Sequence, residues 1–106
     1  MSKPVIKTYQ FKLKPGIDEQ QFLDVNVKVQ QFLQTQPGYQ YRSVAKNEDG
    51  LWLDVIYFAD ATLLSQVDSG FNDNPDCVEM LMLIDLTSIV AQQAEIVYSA
   101  DCTAAA

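Results

Sequence analysis

Residues 36–58, QPGYQYRSVAKNEDGLWLDVIYF, constrain the fold of this chain more than any other stretch. A helix must stop at Gln36-Pro37-Gly38, because proline has no amide donor and glycine accepts the left-handed turn that closes a helix. Two strand-like runs follow, at 39–46 and 51–59, joined by the hairpin signal Asn47-Glu48-Asp49-Gly50. A three-residue loop with Gly50 in the left-handed position sets Asn47 opposite Leu51. Arg42 then lies opposite Ile56 and Val44 opposite Asp54, so that Arg42 and Asp54 become diagonal neighbours on one face. One residue more or less in the loop would put them on opposite faces.

The flanking segments complete an alternating order. Residues 5–13 have period-two alternation, with Val5, Tyr9, Phe11 and Leu13 on one face and Ile6, Thr8, Gln10 and Lys12 on the other. Pro15-Gly16 ends that strand. Asp18 and Gln21 form a capping-box pattern, and Phe22, Val25, Val29, Phe32 and Leu33 make a helical stripe that Leu23 and Val27 widen. Asn26 sits at the edge of this stripe. Asp60 caps a second helix, with Leu63, Leu64, Val67 and Phe71 as its apolar side. Asn74-Pro75 restarts it, with Val78, Leu81 and Met82 facing inward. Residues 84–88 read as a turn or short extended piece, and 89–98 as a last strand. The order β-α-β-β-α-β predicts an α+β, ferredoxin-like sandwich. It forms one domain over residues 1–100, followed by a small, polar tail at 101–106 that is expected to fray.

In such a sandwich the helices cover one face of an antiparallel sheet. The second hairpin strand has Leu53, Val55 and Tyr57 on one face, and Trp52, Ile56 and Phe58 with Asp54 on the other. The expected assignment puts Leu53, Val55 and Tyr57, together with Tyr9, Tyr39 and Tyr41, in the core of the monomer. Trp52, Ile56 and Phe58 are then left on the open face. Such a patch is large for an isolated subunit, and a two-fold homodimer through the open sheet face would bury it.

Several function classes are excluded or disfavoured. Seven basic against fourteen acidic residues give a net charge of −7, which repels phosphate backbones and anionic lipid. Neither nucleic acid nor membrane is an expected partner. The chain has no histidine, which removes the commonest general base, metal ligand and nucleophile partner. Cys77 and Cys102 lack CxxC spacing and read as reduced thiols, and no apolar run reaches membrane-spanning length; a cytoplasmic protein is expected. No dinucleotide, phosphate-loop, calcium or zinc motif is present in the sequence, so the expectation is no cofactor and no metal.

The chain resembles the dimeric α+β barrel superfamily, which includes antibiotic-biosynthesis-monooxygenase-like domains. The resemblance spans most of residues 4–98. It rests on Pro37-Gly38-Tyr39 after the first helix, Arg42 three residues later, the NEDG loop, and WLDVIYFADAT running into the second helix. It is nearest to a branch with a tryptophan–x–aspartate strand. These motifs mark fold rather than chemistry. The resemblance implies two sheets joined face to face, with a pocket in each subunit. In some members it also implies oxidation of aromatic polyketides by oxygen without metal or flavin, through the substrate's own stabilised carbanion. Haem-degrading relatives are disfavoured by the absent histidine.

If the partner-facing side lines that pocket, parity supplies its residues. Arg42 and Asp54 are the candidate catalytic pair, and Trp52, Thr8, Gln10, Ile56 and Phe58 the candidate ligand contacts. Arg42 could hold an enolate, phenolate or carboxylate, Asp54 could take a proton, and Trp52 could stack on a planar ligand. The alternative for the pair is an ion pair that fixes register. The expected function is small-molecule binding, with cofactor-independent monooxygenation of an aromatic substrate as its enzymatic form. The alternative is a non-catalytic ligand-binding or structural dimer.

Overall fold

The computed structural model of the chain describes residues 3–100; the expected tail, with Cys102, lies outside the described residues. The chain runs β1 (Val5–Leu13), α1 (Glu19–Gln34), β2 (Tyr39–Lys46), β3 (Trp52–Phe58), α2 (Ala61–Phe71), α3 (Pro75–Leu83) and β4 (Ile84–Glu95). The four strands form one antiparallel sheet in the order β2-β3-β1-β4, with the helices on one side. This is the ferredoxin-like α+β arrangement, with the second helical segment broken in two.

Local chemistry sets the boundaries. The Asp18 carboxylate accepts from the Gln21 amide at 2.8 Å and opens α1. Asp60 does the same for α2 through the Leu63 amide. The Asn74 side chain accepts from the amides of Asp76 and Cys77, and Pro75 takes the first helical position, so α3 restarts where α2 stops. In the hairpin loop Gly50 adopts φ +79°, while the Asn47 side chain accepts from the amides of Asp49 and Leu51. The resulting register pairs Arg42 with Ile56 and Val44 with Asp54, as the loop length predicts.

The faces of β3 are the reverse of the sequence expectation. Val5, Tyr9 and Phe11 of β1 lie opposite Phe58, Asp54 and Trp52 of β3, and this shared face is the one the helices cover. Trp52 is 5% exposed and Phe58 fully buried, and both join Phe22, Val29, Leu33 and Leu64 in the core. Leu53, Val55 and Tyr57 are on the open face, opposite Gln10, Thr8 and Ile6. Both faces of β3 are apolar, so its period-two pattern has no intrinsic inward side. The expected assignment left the face with Asp54 open, whereas the structure buries it, as a carboxylate can be buried once a guanidinium neutralises it.

Three smaller differences share this kind of cause. A bulge between Tyr39 and Tyr41 returns Tyr39 to the helix side, edge-on to Phe58, but leaves Tyr41 exposed opposite Tyr57. In α3 the inward residues are Cys77 and Met80, while Val78 and Met82 are exposed; on α1, Val27 also faces out. Strand β4 begins at Ile84, with no turn before it. It is accommodated by an irregularity in its pairing with β1, where Ser88 Oγ accepts from the Lys12 amide.

Candidate functional site

Between the helix-covered face of the sheet and α1, α2 and α3 lies a cavity of about 350 Å³. Tyr9, Phe11, Ile56 and Phe58 form its floor, and Val29, Leu33, Leu64, Val67 and Phe71 form apolar walls. Its charged lining residues are Arg42, Asp54 and Asp68. An apolar hollow of this size with a few polar groups is the usual make-up of a small-molecule site.

The hairpin register positions the central pair. Arg42 and Asp54 sit diagonally across β2 and β3, which allows the guanidinium fork to meet the carboxylate edge to edge. Nε donates to Oδ1 at 3.0 Å and Nη2 to Oδ2 at 2.8 Å. Nη1 donates to Gln30 Oε1 at 3.2 Å, and Gln30 Nε2 donates to the Tyr39 hydroxyl at 2.8 Å. A bidentate pair of this kind combines charge with fixed orientation. The Arg42 side chain is 2% exposed and that of Asp54 11%. Both residues line the cavity, as an ion pair that is almost wholly buried.

Tyr9 stands directly opposite Asp54 in the β1–β3 register. Burial pushes its phenol up to about 12, with help from the carboxylates of Asp68 and Asp54. At neutral pH the phenol keeps its proton. Lys7 Nζ lies over the Tyr9 ring, 5.6 Å from its centroid. Burial, and secondarily Asp76, push the Cys77 thiol up to about 11, against the opposing pull of Arg42. Cys77 is fully buried and behaves as a small apolar residue. The Asn26 carbonyl oxygen, one turn before Gln30 on α1, is buried without a partner among the described residues.

The sequence-derived site residues divide three ways. Arg42, Asp54, Ile56 and Phe58 come together at the cavity. Trp52 shares their face but is part of the packing, stacked 6.4 Å from Phe11 and tilted 4.7 Å from Phe22. Thr8 and Gln10 are on the opposite face of the sheet and cannot join the others. The cavity thus lies under the helices, not on the open face of the sheet. Tyr9, Asp68 and Asn72 also line it, and they were missed. Tyr9 was legible only through the β1–β3 register. Asp68 could be found only as a carboxylate adjoining the Leu64–Val67 stripe of α2. Among the described residues, no group of three or more cysteine, aspartate and glutamate side chains clusters to hold a metal.

Solved structures share this architecture over almost the whole chain. A variant of SnoaB, a cofactor-independent oxygenase from Streptomyces nogalater, superposes with a TM-score of 0.71 at 12% identity, over 96% of this chain and 99% of that one. The shared architecture is the ferredoxin-like α+β sandwich. A hydroxynitrile lyase from Passiflora edulis has the same fold, with a TM-score of 0.67 at 11% identity over 95% of this chain and 100% of that one. So does a heme-degrading protein from Mycobacterium tuberculosis, at 0.66 and 11% over 95% and 99%. The three names differ in chemistry, and at such identities the likeness carries the α+β fold alone. No protein-family model and no curated protein matches the sequence.

Proposed function

We propose that the protein binds a small, planar, mostly apolar molecule in the cavity under its helices, and that its activity is cofactor-independent monooxygenation of an aromatic substrate. The observation that carries this reading is the cavity itself, about 350 Å³ with apolar walls and a carboxylate held in place by Arg42. The fold shared with the oxygenase SnoaB adds support. In the proposed reaction Asp54 accepts a proton from an activated C–H or O–H of the substrate. The resulting carbanion or phenolate gives electrons to dioxygen. One oxygen atom stays in the product as a carbonyl, and the other leaves as water with two substrate hydrogens. Burial of the substrate keeps competing water away from the anion. Arg42 is a positioning residue, since its fork holds both oxygens of the carboxylate.

The test is oxygen uptake by the full chain on a panel of anthrones and hydroquinones. Uptake that falls at least about a hundredfold in Asp54→Asn, with the fold intact, is expected of a general base. Absence of uptake by the wild type across the panel would exclude the oxygenase reading. Ligand binding without turnover would instead favour the non-catalytic form, a reading that the bidentate Arg42–Asp54 pair also supports. As part of the same proposal, two copies pair through the open sheet face that carries Leu53, Val55 and Tyr57.

A further inference from the structure

The charged groups of the cavity are arranged unequally. Arg42 spends Nε and Nη2 on Asp54 and Nη1 on Gln30, and its side chain is 2% exposed. Asp54 receives those two bonds and retains lone pairs, since a carboxylate accepts about four hydrogen bonds. Asp68 adds a second carboxylate from α2, on the exposed side of the same cavity. Lys7 Nζ lies over the Tyr9 ring but is not among the residues that line the cavity. The lining thus carries two carboxylates against one guanidinium, and that guanidinium is already paired with Asp54. The sequence alone suggests the opposite, with Arg42 as the group that grips an anion.

Granted the small-molecule cavity proposed above, we infer that it selects ligands bearing an O–H or N–H donor and turns anions away, with Asp54 as the reading group. A donor on the ligand would complete the lone pairs of Asp54, whereas an ether or carbonyl at that place would leave a partly buried carboxylate short of partners. An anionic ligand would bring a third negative charge into a cavity of reduced dielectric where Asp54 and Asp68 already face a single guanidinium, which weakens binding by more than about tenfold. The same arrangement suits proton transfer. When a neutral donor passes its proton to Asp54, the total charge inside the cavity does not change. An anion that arrives already charged gains no such balance. Tyr9 also lines the cavity and brings a phenol hydroxyl that can donate to a ligand oxygen.

A matched naphthalene series separates these terms: 2-naphthol, 2-naphthylmethylammonium, 2-methoxynaphthalene and 2-naphthoate. Each is titrated into the full-length chain at neutral pH, with amide chemical shifts of cavity residues as readout. The naphthol and the ammonium compound are expected to bind more than about tenfold tighter than naphthoate, with the methoxy compound between. If only one of the two donors leads, the preferred donor is thereby identified as neutral or cationic. Asp54→Asn should raise the affinity for naphthoate and narrow the gap. Asp68→Asn, at an exposed helix position that tolerates exchange, should act in the same direction even if Asp54→Asn does not fold. Naphthoate binding as tightly as naphthol to the wild type would overturn the selectivity and leave the cavity reading standing. Failure of all four compounds to shift cavity resonances would remove the cavity reading and this inference with it.

Discussion

Arg42 and Asp54 are the residues on which both stability and the proposed chemistry turn. Each is costly to bury alone, and together they form two parallel hydrogen bonds under the helices. Asp54→Ala would leave a guanidinium that is 2% exposed with only Gln30 for company. It should therefore destabilise the chain by about 3–5 kcal/mol. Replacing both partners with apolar residues of similar volume, as in Arg42→Met with Asp54→Leu, should restore most of that loss. Urea unfolding of the two variants against wild type checks both statements. A cost below about 1 kcal/mol for Asp54→Ala would mean that the guanidinium finds water or another partner, contrary to its burial. The pair's proximity was legible in the sequence because the loop chemistry fixes register. Its burial was not, because a charge that is neutralised inside the core looks the same in sequence as one facing solvent.

At the level of elements, the turns were the most legible feature and the faces of β3 the least. Asp18, Asp60 and Asn74 each act through local hydrogen bonding from side chain to backbone, so the sequence shows their effect directly. The inward side of β3 depends on which of two apolar sets the helices cover, which is a tertiary choice. The same holds for α3, where Cys77 and Met80 displace Val78 and Met82 from the core because α3 packs against α1. The glycines that end α1 and close the hairpin allow a direct comparison. Gly50 has φ +79° with open space where a methyl group would point, so Gly50→Ala should cost about 1 kcal/mol from backbone strain alone. Gly38 has φ +88°, and a Cβ there would come within 2.6 Å of Leu63 Cδ1 and 3.1 Å of Leu63 Cβ. Gly38→Ala should cost clearly more than Gly50→Ala, because the first turn of α2 must move as well. Thermal unfolding of both variants tests the order, and equal costs would mean that Leu63 yields freely.

For the whole molecule, the reversal of faces moves the proposed dimer surface without abolishing the reason for it. The helices cover Trp52, Ile56 and Phe58, so those residues need no partner. What remains open is a milder surface: Leu53, Val55 and Tyr57 on β3, Ile6 on β1, Val90 on β4, and Tyr41, which is 58% exposed on β2. These side chains lie across the middle of the sheet, where water would otherwise cover a contiguous apolar strip. A second copy presenting the same strip buries both through a two-fold axis. Each chain carries a net charge of −7, so association works against mutual repulsion that salt screens. Two consequences follow for sedimentation equilibrium. Wild type should run as a dimer at micromolar concentration and dissociate less as sodium chloride is raised. Val55→Glu, at the centre of the strip, should run as a monomer with an unchanged circular dichroism spectrum. The cavity lies on the other side of the sheet, under the helices of its own subunit, so the monomeric variant should retain the wild-type order of affinities for the naphthalene series. Loss of that order on monomerisation would mean that the partner holds the sheet, and with it the Arg42–Asp54 pair, in the shape the ligand requires.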